Sequence, residues 1–221
     1  MNDQKQSVVY KGILIDLEKT NNRTSANCII DVLVGKANVH VGKYYTFEKA
    51  LEFAKKVIDS KDLSRINSIY GENKYVLLFG KKYNVKVFKA EKNGSAFNDN
   101  EFLVGIAPNC NIERTIINEL YKHYYYQLKM HLLRIVPECE KKVNLQCSGW
   151  ILCNTLYSWG SCKHRTKFIK FSIRLATQNF EFIETVVIHE LGHILYNNHG
   201  KEFNEYMKRY VPNYRTILRN K

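Results

Sequence analysis

Residues 184–199 read Glu184-Thr-Val-Val-Ile-His189-Glu190-Leu-Gly-His193-Ile-Leu-Tyr-Asn-Asn-His199, and their spacing decides how the C-terminal half folds. Positions i and i+4 of an α-helix lie one turn apart on one face, so His189 and His193 project together. Phe182, Ile183, Val186, Val187, Leu191, Ile194 and Leu195 give this helix more than one apolar face, as expected of a helix buried at the centre of a domain. Asn179 is a good N-cap. Asn197-Asn198 is expected to end the helix, because asparagine tolerates the left-handed conformation that closes helices.

His-Glu-x-x-His on a helix is the spacing at which two imidazoles share one zinc ion, with the glutamate able to reach a water in the fourth coordination position. A third ligand is needed. His199 follows the expected helix stop, where the chain can turn back and offer imidazole from another direction. Glu202 and Glu205 on the next helix are its rivals, but zinc helices with a carboxylate third ligand generally place it farther away. The expectation is therefore a zinc site of His189, His193 and His199, with Glu190 as general base to a metal-activated water.

Outward from this segment, Ser158–Thr166 is flanked by two β-rich stretches, 149–157 and 167–175. Asn111 opens a long amphipathic helix marked by Ile112, Ile116, Ile117, Leu120, Tyr121, Leu128, Leu132 and Leu133, expected to end before Pro137. A last helix runs from about Lys201 to Tyr210, stopped by Pro212. The N-terminal part is β-rich. Residues 8–17 and 28–41 cluster β-formers, with Gly35-Lys36 as a hairpin turn. Thr46 caps a helix reaching about Asp59. Tyr75–Phe79 and Tyr83–Phe88 make a second hairpin about Gly80-Lys81-Lys82, Lys92–Asn100 reads as a loop, and Phe102–Ala107 as another strand. The fold class is α+β: an N-terminal β-rich region with one helix, 1–108, then a small zincin-like catalytic core, 109–221.

At 221 residues with 45% hydrophobic side chains the chain can bury a substantial core, which excludes disorder over most of its length. Charges break every apolar run well before membrane-spanning length, and the first twenty residues lack a signal-peptide pattern, so a cytoplasmic protein without a membrane partner is expected. The cysteines, Cys28, Cys110, Cys139, Cys147, Cys153 and Cys162, include no C-x-x-C pair and read as free thiols. A structural zinc site of Cys147, Cys153 and Cys162 would have spacings that fit no ribbon or finger. The formal net charge of +13, from 34 Lys+Arg against 21 Asp+Glu, favours anionic partners such as nucleotides or nucleic acid. No nucleic-acid motif accompanies it, and a composition rich in lysine, asparagine and isoleucine accounts for it better than a functional basic patch.

Trp159-Gly160-Ser161-Cys162, a β-rich run ending in Arg174-Leu175, His-Glu-Leu-Gly-His, Asn198-His199, Phe203 and Pro212-Asn-Tyr214-Arg215 together resemble the YgjP-like metallopeptidase family. The match is specific over residues 157–215. It implies a zinc metallohydrolase acting on peptide or protein, with His189, His193 and His199 as ligands and Glu190 as the catalytic glutamate. The chain departs from the family pattern at Ser158, where a basic residue is common, ahead of the catalytic helix near Asn179, where a proline is, and at Gly200, where serine is usual. None of these is a ligand. Trp159, Gly160 and Cys162 read as a packing anchor, a tight turn and a buried thiol, or the element places Ser161 or nearby backbone at the cleft rim; Trp159, Ser161 and Arg174 are the candidate substrate-positioning residues. Arg174, Tyr196 and His164 are candidate oxyanion stabilisers. Two other activities use the same metal and base: hydrolysis of a nucleotide phosphoanhydride, as in a pyrophosphatase, and proteolysis on DNA, as in SprT-like zinc proteases.

Overall fold

The structure, a computed structural model, describes residues 5–20, 23–61, 63, 66–70 and 72–219. The fold is α+β and divides into two compact units, Met1–Leu77 with Lys81–Tyr121, and Leu78–Gly80 with Lys122–Lys221.

In the first unit, β1 (Lys5–Tyr10) and β2 (Ile13–Lys19) form an antiparallel hairpin about a left-handed Lys11-Gly12 turn, where the sequence had suggested one run. With β3 (Asn27–Asp31) and β4 (Lys36–Val41) they make a sheet of order β1-β2-β4-β3, in which β2 and β4 run parallel. Alternation along β2 and β4 turns Ile13, Ile15, Leu17, Ala37, Val39 and Val41 inward. There they pack on Ala50, Ala54 and Ile58 of α1 (Phe47–Asp59), whose first turn is capped by Thr46 as expected, its hydroxyl accepting from the Lys49 amide at 3.3 Å. A second sheet has the order β5-β6-β8-β7, from β5 (Tyr75–Leu78), β6 (Lys81–Lys89), β7 (Gly94–Phe97) and β8 (Glu101–Ile106). Lys81 already belongs to β6, so the hairpin turn is Phe79-Gly80 rather than Gly80-Lys81-Lys82. The expected loop at 92–100 contains β7, a Gly-Ser-Ala-Phe strand without β-branched residues to announce it.

The long helix α2 (Ile112–Val143) continues through Pro137 instead of stopping before it. Its buried stripe, Ile116, Leu120, Tyr124, Leu128, Leu132, Val136, Cys139 and Val143, extends beyond the proline. Pro137 lies on the exposed face and leaves the buried stripe unbroken, so packing outweighs the one helical hydrogen bond that proline cannot donate.

The second unit carries a three-stranded sheet, order β10-β11-β9, of β9 (Gly149–Cys153), β10 (Gly160–Lys163) and β11 (Phe168–Ser172). β10 was not foreseen; it pairs antiparallel with β11, Gly160 facing Phe171, and is an edge strand. Three helices follow: α3 (Phe180–Gly192), α4 (Lys201–Tyr210) and α5 (Tyr214–Arg219). Asn179 caps α3 by accepting from the Phe182 amide at 2.9 Å. α3 ends at Gly192 with His193 as its C-cap, earlier than Asn197-Asn198 had suggested. The Phe79-Gly80 turn belongs to this unit. The Phe79 amide donates to the Ala176 carbonyl at 2.7 Å, and Gly80 lies so close to Asn179 that a Cβ would come within 3.1 Å of Asn179 Cβ.

Candidate metal centre

The segment 184–199 brings its three histidines together. His193 Nε2 stands 3.3 Å from His189 Nε2, and His199 Nε2 stands 3.1 Å from it. Two nitrogens each bound to zinc at its usual length, at a tetrahedral angle, stand about 3.3 Å apart, so the spacing matches a tetrahedral ligand set. His193 Nδ1 lies 2.8 Å from the Tyr196 carbonyl, which can only accept. The proton of a neutral imidazole therefore sits on Nδ1, and the Nε2 lone pair is directed at the other two rings. Among the described residues these histidines are the one group of three or more His, Cys, Asp or Glu donors within 4.8 Å of one another. The combination of Cys147, Cys153 and Cys162 does not qualify, and Glu202 and Glu205 do not join. All six cysteines are free.

Phe203 of α4 is the base on which the triad rests. Its ring centroid lies 4.8–4.9 Å from each imidazole, stacked on His193 and edge-on to His189 and His199. His199 is exposed, yet its backbone is held: Asn204 Nδ2 donates to its carbonyl at 2.8 Å and to that of Gly200 at 2.7 Å. Asn204 Oδ1 in turn accepts from the Tyr214 hydroxyl and from Arg215 Nη2 at 3.1 Å. Nothing in the spacing of Asn204 marks it as a support for His199.

Glu190 is 4% exposed and faces Gly160 of β10, where a Cβ would come within 2.7 Å of Glu190 Cγ and 2.8 Å of Oε1. Glycine at 160 is thus what lets the strand lie against the carboxylate. Cys162 faces the same way; burial, then the Glu190 charge, pushes its thiol up to about 11, so it is protonated at neutral pH and unsuited to nucleophilic attack. Ser161, between them, turns its side chain to the other face of the sheet and leaves backbone at the cleft. His164 Nδ1 donates to the His193 carbonyl at 3.0 Å. Tyr196 contributes through its carbonyl, while its ring packs on Phe203 and Tyr206. Trp159 meets Phe182 edge-on at 5.1 Å, and the Arg174 guanidinium lies 4.6 Å from its ring centroid. A cleft of about 570 Å³ gathers Trp159, Ser161, Cys162, His164, Arg174, His189, Glu190, His193 and His199, all within the second unit.

Three imidazoles at tetrahedral spacing, with a buried carboxylate on the same cleft, are a candidate metal centre with a base beside it. A family profile described as YgjP-like, metallopeptidase domain, matches residues 46–220. The chain belongs to this YgjP-like metallopeptidase family. Among solved structures it is similar to the metallopeptidase zymogen of Methanocaldococcus jannaschii jannalysin, with 22% identity, a TM-score of 0.33 and coverage of 36% of this chain and 80% of that one. No curated protein matches the sequence.

Proposed function

We propose that the protein is a zinc-dependent peptidase in which His189, His193 and His199 hold the metal and Glu190 is the general base. The convergence of three Nε2 atoms beside buried Glu190 carries this reading. Zinc, when bound, lowers the pKa of its water toward about 7 and polarises a substrate carbonyl. Glu190 accepts the proton of the attacking water and delivers it to the departing amine. Gly160 leaves room for the carboxylate to make that transfer, and Phe203 and Asn204 keep the imidazoles in place. β10 presents an unpaired edge along the cleft, where an extended peptide can add as a further strand, with Ser161 contributing backbone.

A phosphoanhydride substrate is disfavoured by the lining, where Arg174 is the one Lys or Arg, too few for a chain of phosphates. Glu190→Gln is the test. It is expected to retain zinc and lower kcat by about a hundredfold or more, the range of a lost general acid–base. Full activity in that variant would remove Glu190 from the reaction, and zinc-dependent release of pyrophosphate from nucleotides without peptide cleavage would reverse the choice of substrate.

A further inference from the structure

Arg174 is 7% exposed in a chain whose other Lys and Arg residues are mostly at the surface, and it lines the cleft that holds His189 and Glu190. Its position is fixed from three sides. The Arg174 amide donates to Ser172 Oγ at 3.3 Å, Nη1 donates to the Leu156 carbonyl at 2.6 Å, and the guanidinium lies over Trp159. Trp159 precedes Gly160, which touches Glu190, so a short run of chain links the guanidinium to the catalytic carboxylate. The lining of the cleft includes the apolar side chains Leu156, Trp159, Leu218 and Val186, the last placed one helical turn before His189, and Leu156 and Trp159 adjoin the guanidinium itself. Glu190 is the one acid in the lining and Arg174 the one permanent cation.

A fixed guanidinium in a cleft lined partly by apolar side chains suits a group with an apolar stem and a planar anionic tip, because the guanidinium fork matches a carboxylate. A substrate ammonium in the same place would meet like charge. We propose that Arg174 is the specificity-determining residue of this cleft, receiving a substrate carboxylate, so that the enzyme prefers peptides with an acidic group next to the cleaved bond. The carboxylate comes either from a Glu or Asp side chain or from the free C-terminus of the substrate. This rests on the peptidase reading above. It differs from an oxyanion role for Arg174, which would accelerate all peptides alike.

The test uses the zinc-loaded full chain and matched peptides around one cleaved bond: Glu, Gln or Lys at each flanking position with an amidated end, and the Gln peptide with a free end. The expected kcat/KM is about tenfold or more higher for Glu than for Gln, the scale of a charge-assisted hydrogen bond, with Lys the slowest. A preference for the free end without one for Glu would assign the carboxylate to the substrate terminus and equally support the role. Arg174→Met, checked for zinc content and circular dichroism, should bring the preference to about one, and Arg174→Lys should keep part of it. Equal cleavage of Glu, Gln and free-end peptides by the wild type overturns the proposal whether or not the variants fold. So does a preference that survives in folded Arg174→Met. Titrating the same peptides onto zinc-loaded Glu190→Gln separates the two levels. Carboxylate-selective binding without wild-type cleavage would uphold Arg174 and sink the peptidase reading, whereas cleavage without selectivity would sink Arg174 alone.

Discussion

Gly160 and Glu190 show how the site is tuned residue by residue. A methyl at 160 would stand within 2.7–2.9 Å of Glu190 Cγ, Cδ and Oε1, and Glu190 is buried, with little room to yield. Gly160→Ala is therefore expected to leave zinc content unchanged while lowering kcat/KM by about tenfold to a hundredfold, as misplacement of a reacting group does. Undiminished activity would mean that the carboxylate need not sit where it does. Asn204 acts on the metal side. It holds the carbonyl of His199, the exposed member of the triad, so Asn204→Ala should weaken zinc binding by about tenfold to a hundredfold in a chelator competition. An unchanged Kd would show that the position of His199 does not depend on Asn204. The convergence of His189, His193 and His199 beside Glu190 was legible because the spacing of His189, Glu190 and His193 is local and helical and His199 follows within a few residues. Gly160 had read as a tight turn, not as a strand residue against Glu190, and Asn204 carried no signal, because what they do is set by contacts thirty residues apart or by a loop, and neither pattern has a period.

Among the elements, local signals were reliable where a side chain caps its own helix: Thr46 and Asn179 both bond the amides their positions imply. They failed where tertiary burial decides. α2 runs through Pro137 because Cys139 and Val143 continue its buried stripe, and β10 forms from Gly-Ser-Cys-Lys because β11 and α3 lie beside it. α3 closes at Gly192, whose Cβ would come within 2.5 Å of the Tyr206 ring, so close packing leaves a small residue at the turn and the asparagines have no helix to end. Helix α2 also carries a pH-sensitive contact. His131 packs, with its ring tilted, against Phe79 and Phe180, with centroids at 5.5 and 4.7 Å. Burial, with Arg134 adding to it and Glu138 opposing, holds its pKa below the ordinary 6.5. The unfolded chain then binds the proton more readily, so His131 costs stability as the pH falls below about 6.5, until its folded value is passed. His131→Phe should narrow the fall in Tm between about pH 7.5 and about pH 5.5. A fall as large as the wild type's would show that His131 protonates without consequence for folding.

At the scale of the molecule, the α+β class and the β-rich character of the N-terminal part were readable from β-former clusters, whereas strand order was not, since the parallel pairs β2–β4 and β6–β8 join strands that are not consecutive. Among the described residues no helix is long and apolar enough to cross a membrane. The net charge of +13 raises the general affinity for anions, but within the cleft it comes down to one guanidinium. Family membership over residues 46–220 spans parts of both compact units, while the candidate metal centre draws on the second alone. The measurement that bears most directly on that centre is zinc content by mass spectrometry on untagged protein, wild type beside His199→Ala. About one zinc per chain in the wild type, and markedly less in the variant, is the predicted result. Full zinc retention in His199→Ala, or none in the wild type after zinc is supplied, would contradict a three-histidine site.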